Sequence, residues 1–217
     1  MKKKILIIAP HPDDETLGCG GYILKNSKIL DIHLLFVTKM KNTKKDRKYL
    51  TRSKEISKIN KIYKFKSITK LNYYTSEMDL YPRGEIINKL SQVLSNLKPD
   101  EILIPSSIDV HSDHKIINEC SISASKSFRN PYLKKIIEYE VLSETNFSLK
   151  ETFKPNYFVD VSDNIKKKIQ IMKIYKSELK KHPFPRSIDS IRSLAILRGS
   201  QAGFKFAESF KIIFSKE

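Results

Sequence analysis

His11, Asp13, Asp14 and Glu15 fall within five positions of one another, in the run Pro10-His11-Pro12-Asp13-Asp14-Glu15. A second cluster, His111-Ser112-Asp113-His114, lies far downstream. A neutral imidazole and a carboxylate are both good ligands for zinc. Two adjacent aspartates at a turn do not point the same way. One can ligate a metal while the other faces a metal-bound water as general base. The two clusters together offer His11, Asp14 and one more histidine. Three protein ligands with a fourth position open to water is the composition of a catalytic zinc site. Taken alone, the first cluster also reads as a helix start, with an Asp cap and a Glu in the first turn. The second cluster weakens that reading, because three of the five histidines fall in these two places.

Both clusters need a scaffold that brings them together. Lys4-Ile5-Leu6-Ile7-Ile8-Ala9 is a short, β-branched apolar run and predicts a strand buried on both faces. Glu101-Ile102-Leu103-Ile104-Pro105 predicts a second such strand, just before the second cluster. Strands that end in polar bursts place those side chains at their carboxyl ends, where open α/β sheets bind ligands. Gly18, Gly20 and Gly21 are expected to loosen the turn after the first cluster.

The paired motifs resemble the PIG-L/LmbE-like family of zinc-dependent N-deacetylases, which remove the acetyl group from N-acetylglucosamine-type sugars. Tyr157-Phe158-Val159-Asp160-Val161, Tyr175-Lys176-Ser177-Glu178, Arg198-Gly199 and Ala207-Glu208-Ser209-Phe210 are similar to that family's C-terminal pattern. The resemblance implies one Zn²⁺ per chain, held by His11, Asp14 and His114, with Asp13 as the base. It also implies His111 as the acid toward the departing amine, with Asp113 holding its tautomer and charge. Spacing alone leaves His111 and His114 interchangeable. Fe²⁺ accepts a similar ligand set. Arg52, three residues before Glu55, matches a family Arg–Glu pair and is assigned to the substrate or to orienting the base. Some family members carry a tyrosine shortly before the second motif. Here that stretch reads Ser107-Ile108-Asp109-Val110, so His111, Arg52 and Arg198 are the candidate oxyanion donors. The expected substrate is a small N-acetylated sugar, nucleotide- or lipid-linked in surface-glycan assembly, with a GlcNAc conjugate of thiol biosynthesis or a free chito-oligosaccharide as the alternatives.

The composition bounds the rest. At 217 residues and 40% hydrophobic, the chain is expected to form one domain, residues 1–217, with a sizeable core. Cys19 and Cys120 make no disulfide framework and suit a reducing cytosol. The apolar run at Ile5–Ala9 is too short for a secretory signal, and no run approaches a membrane span. A soluble, cytoplasmic protein is expected, and assembly into a homo-oligomer is left open. The net charge of +17 is mostly lysine, whereas arginine is the better phosphate fork. A basic nucleic-acid module would need interleaved aromatics or a recognition helix, and would leave both histidine clusters unexplained. A nucleotide-binding turn would want bare amides where this one carries acids.

Strands are predicted at 32–38, 68–74, 136–141 and 158–161, the last as the final short strand. Helices are predicted at 49–63, 85–97, 115–128, 165–179 and 188–197, and 206–214 as an irregular or strand-like end. Lys39 to Lys48 reads as a basic loop, expected to act as a flap over the strand ends. Strands alternating with helices predict an α/β, Rossmann-like, doubly wound and mostly parallel sheet flanked by helices.

Overall fold

The computed structural model describes residues 2–41 and 48–217. Strand β1 (Lys4–Ala9) is buried on both faces, as its unbroken apolar run requires. Ile5, Ile7 and Ala9 join one core and Leu6 and Ile8 the other, following the two-residue period of a strand. The other strands are β2 (Asp31–Lys39), β3 (Ser67–Tyr74), β4 (Glu101–Pro105), β5 (Lys135–Tyr139), β6 (Tyr157–Asp160) and β7 (Ala207–Ser215). They form one sheet in the order β3-β2-β1-β4-β5-β7-β6. The first five are parallel, and β7 runs antiparallel to both β5 and β6.

Helices cover both faces. Helices α1 (Asp14–Asn26), α2 (Lys48–Tyr63), α5 (Ile165–Met172) and α6 (Ile188–Ala202) pack on one side. Helices α3 (Arg83–Leu97) and α4 (Ser112–Ala124) cover the other. The chain leaves β1 toward β2 and β3, then returns to place β4 on β1's other side. The carboxyl ends of β1 and β4 therefore flank the point where the winding reverses, which is where such sheets open a crevice.

Four expectations change. The helix after the second cluster starts at Ser112, not Lys115, and ends at Ala124, so Asp113 and His114 lie in its first turn. Helix α5 stops at Met172, and the chain continues in turns through Glu178. The last strand is β7, not the one at 157–160. The glycines do not loosen a turn but lie inside continuous helix α1, where they permit close packing. A Cβ on Gly18 would meet the Tyr139 ring at 2.3 Å, and one on Gly21 would meet Val161 at 2.5 Å. Residues 42–47 of the expected flap lie outside the described residues. Among the described residues, no helix is long and apolar enough to cross a membrane.

Candidate active site

The turn after β1 is organised by its own acids. The backbone N–H of His11 donates to Asp14 Oδ2 at 2.8 Å, and that of Asp13 donates to Glu15 Oε2 at 3.0 Å. Glu15 is fully buried and also accepts from Thr16 Oγ1 and from Tyr175 Oη at 2.9 Å. This holds Asp13 at φ 140°, a backbone region that side chains other than glycine rarely occupy. The strain falls on the residue predicted to be the base. Its side chain lines a cavity of about 190 Å3 with His11, Asp14, Arg52, His111, His114, Glu144, Glu178 and Arg186.

The second cluster meets the first at the β1/β4 crevice. His11 Nδ1, Asp14 Oδ2 and His114 Nε2 form a triangle with edges of 3.4, 3.2 and 3.2 Å. Donors bound tetrahedrally at roughly 2.0–2.1 Å stand about 3.3–3.4 Å apart, so this triangle matches one face of a zinc coordination shell. A triangle of His11, His111 and His114 closes only to within 4.8 Å. The tighter set is the better match to a ligand set, with His111 as its neighbour. That favours His114 in the choice between two histidines which spacing leaves open.

Behind each histidine of the triangle stands a carboxylate. Asp113 Oδ2 accepts from His11 Nε2 at 2.9 Å, and Asp109 Oδ2 accepts from His114 Nδ1 at 2.7 Å. Such partners fix the tautomer that turns the other ring nitrogen toward a metal. Asp113 is held in turn by the backbone N–H groups of Ser76, at 2.7 Å, and Met78, at 3.3 Å. Asp109 is held by the Thr145 hydroxyl.

Two predicted roles change here. The Asp113 side chain does not hold His111. It turns away to His11 and to the Ser76 and Met78 amides, while its backbone N–H donates to His111 Nδ1 at 3.1 Å. His111 in its neutral form therefore carries its proton on Nε2. Arg198 does not reach the cavity. It forms a bidentate pair with Glu140 at 2.8 and 2.7 Å, beside α1, where it braces the fold. Arg52 is brought to the cavity, buried, paired with Glu55 at 3.1 Å and hydrogen-bonded to Glu178. His33 stays a strand residue, bonded to Ser67.

Sequence reasoning misses three contributors. Asp109 precedes His114 by five positions and is visible as an acid next to the second motif. Glu178 belongs to the C-terminal pattern, which gives it no role. Arg186 ends the Pro-flanked run His182-Pro183-Phe184-Pro185 and reaches Asp13 Oδ2 at 3.1 Å and Glu178 Oε2 at 3.2 Å.

The electrostatics follow from this crowding. Burial opposes charge on His11, but its hydrogen bonds to the Asp113 and Asp14 carboxylates outweigh it and carry its pKa up to about 9. His114 is raised well above the usual histidine range, because Asp14 and Asp109 outweigh its burial. His111 lacks a carboxylate partner among the described residues, and burial with two neighbouring imidazoles takes it down to about 4. Burial, then Asp14, push Asp13 well above the usual carboxylate range against the pull of Arg186. Such an acid is a stronger base once ionised. Burial carries Glu15 up to about 7.

Comparisons with known proteins concern the family and the fold. Residues 6–125 match the PIG-L family, described as GlcNAc-PI de-N-acetylase. The diacetylchitobiose deacetylase of Thermococcus kodakarensis is 26% identical over 226 residues, covering 97% of this chain and 83% of that protein. The solved N,N'-diacetylchitobiose deacetylase of Pyrococcus horikoshii superposes with a TM-score of 0.78 at 24% identity, covering 97% of this chain and 84% of the other. A conserved protein of Thermus thermophilus gives 0.80 at 22% identity, covering 98% and 96%. At these identities the two structures speak for the α/β fold.

Proposed function

This chain belongs to the PIG-L family, and from that premise we propose that it is a metal-dependent N-deacetylase hydrolysing the acetamide of an N-acetylglucosamine-type sugar. The observation that carries the reading is the triangle of His11 Nδ1, Asp14 Oδ2 and His114 Nε2, backed by Asp113 and Asp109, with Asp13 lining the same cavity. The two-nitrogen, one-oxygen donor set fits Zn²⁺, and Fe²⁺ accepts it too. When bound there, the metal supplies Lewis-acid activation of water and of the acetyl carbonyl.

The chain's own residues do the rest. Asp13 takes the proton of the attacking water. His111, its Nδ1 engaged by a backbone N–H, offers Nε2–H to the acetyl oxygen as charge develops there. The sugar amine leaves only when protonated, and the proton now on Asp13 is the nearest supply. This replaces the expected role of His111 as the acid, since among the described residues no carboxylate stands behind it to keep it charged. Arg52 and Glu178 border the cavity as hydrogen-bonding groups for the sugar.

The test is acetate release from a panel of N-acetylglucosamine derivatives, uncharged and phosphate-linked, with metal content measured on the same preparation. Chelator-sensitive release with about one metal per chain supports the reading. Bound metal with no acetate from any derivative rejects the activity, and no metal after reconstitution rejects the site.

A further inference from the structure

Arg186 comes from the loop between α5 and α6 and meets Asp13 from 173 residues downstream. One nitrogen, Nη1, serves two carboxylates: Asp13 Oδ2 at 3.1 Å and Glu178 Oε2 at 3.2 Å. Glu178 also bonds Arg52, which pairs with Glu55. The result is a chain of alternating charge, Glu55–Arg52–Glu178–Arg186–Asp13, along one wall of the cavity. Phe184, two residues before Arg186, presents its ring 5.8 Å from the guanidinium carbon.

The geometry points to Arg186 as the positioning residue of the base: it holds Asp13 by Oδ2 so that Oδ1 is the oxygen presented to the attacking water. This rests on the deacetylase reading for the identity of the reaction. Among the described residues, Oδ1 of Asp13 takes no hydrogen bond, while Oδ2 is engaged by Arg186. The Asp13 backbone is fixed from the other side by Glu15. With main chain and one carboxyl oxygen both held, the second oxygen has one direction left. A charge-assisted bond is among the stronger ways to fix a carboxylate. Arg186 also keeps a buried donor, Nε, that has no partner among the described residues. The tether belongs to a loop rather than to the sheet, so the aim of the base depends on how that loop is folded.

The experiment compares wild type, Arg186→Ala, Arg186→Lys, Asp13→Asn and the double variant Asp13→Asn/Arg186→Ala, each reconstituted with zinc or Co²⁺. Misaiming a catalytic group by about an ångström costs on the order of a hundredfold. Arg186→Ala is therefore expected to lower kcat about 30- to 100-fold with KM within about threefold, metal stoichiometry unchanged, and part of the rate restored by added guanidinium ion. Arg186→Lys falls between. In the Asp13→Asn background the same change costs less than about twofold, because the group it aims is gone. Equal losses in both backgrounds, or an effect on KM alone, overturn the assignment. If wild type releases no acetate, the deacetylase reading fails, and crystal structures of the Co²⁺-loaded wild type and Arg186→Ala still decide this one. An Asp13 carboxylate turned to a new direction in the variant supports the positioning role. An unmoved Asp13 carboxylate overturns it.

Discussion

Asp113 accepts a hydrogen bond from His11 Nε2 at 2.9 Å across 102 residues of sequence, rather than serving the histidine two positions before it. His114 has the equivalent partner in Asp109 at 2.7 Å. The nitrogens left to face a metal are thus Nδ1 on one ring and Nε2 on the other, each set by the carboxylate behind it.

Removing either carboxylate loosens the metal. Asp113→Asn and Asp109→Asn are each expected to weaken metal affinity about 10- to 100-fold. A competition titration against a chromophoric chelator measures it. Unchanged affinity in both variants means that these acids do not orient the ligands.

Asp13 behaves in the opposite way. Asp13→Asn leaves the metal bound, because the proposed ligand triangle does not include it, and lowers turnover about 10²- to 10⁴-fold. Metal analysis and acetate release on one preparation check both halves. Near-normal turnover in the metal-loaded variant assigns the base elsewhere.

Metal uptake is expected to expel protons. In the metal-free protein the Asp113 and Asp14 hydrogen bonds, working against burial, carry His11 up to about 9, so its imidazole is protonated at pH 7. A metal needs the lone pair on Nδ1, so binding displaces that proton. Affinity should therefore rise with pH from neutrality toward about 9. Calorimetry at pH 7 in buffers of differing ionisation heat should report about one to two protons released. Zero release contradicts the assigned ligands.

How much of this the chain announces depends on distance along it. The two histidine clusters are legible because each is a run of a few residues directly after an apolar strand. The parallel order is legible because strand and helix patterns alternate. The contacts that orient the site are not. Whether Asp113 serves His111 or His11 depends on α4 starting at Ser112, which puts the carboxylate against the 76–78 amides. Arg186 is one arginine in a Pro-flanked loop until the fold brings it to Asp13. Helix α5 ends early because residues 173–178 run in turns that bring Tyr175 to Glu15 and Glu178 to Arg52. β7 is ambiguous in sequence because Ala207–Ser215 is buried only over its first four residues.

Arg198 should be a matter of stability. Its bidentate contact with Glu140 is largely buried, and Arg198→Ala leaves that acid with only the Ser209 hydroxyl among the described residues. The expected loss is about 2–3 kcal/mol, or roughly 5–10 °C in Tm for a chain of this size. KM should not move. Calorimetric melting and steady-state kinetics separate the two, and a raised KM with an unchanged Tm would return Arg198 to the substrate.

Two short 3-10 turns, Met78–Leu80 and Thr145–Phe147, supply the groups that hold Asp113 and Asp109. They lie on opposite sides of β4 in the chain and are not among the proposed ligands. Free-energy coupling is reciprocal, so a turn that steadies a ligand is steadied by whatever that ligand binds. Loading the metal should therefore slow hydrogen exchange at the amides of Ser76 and Met78, outside the coordination shell. A substitution that frays either turn weakens metal retention without touching a histidine. With the proposed ligands, the folding of these two turns is part of the site's metal affinity.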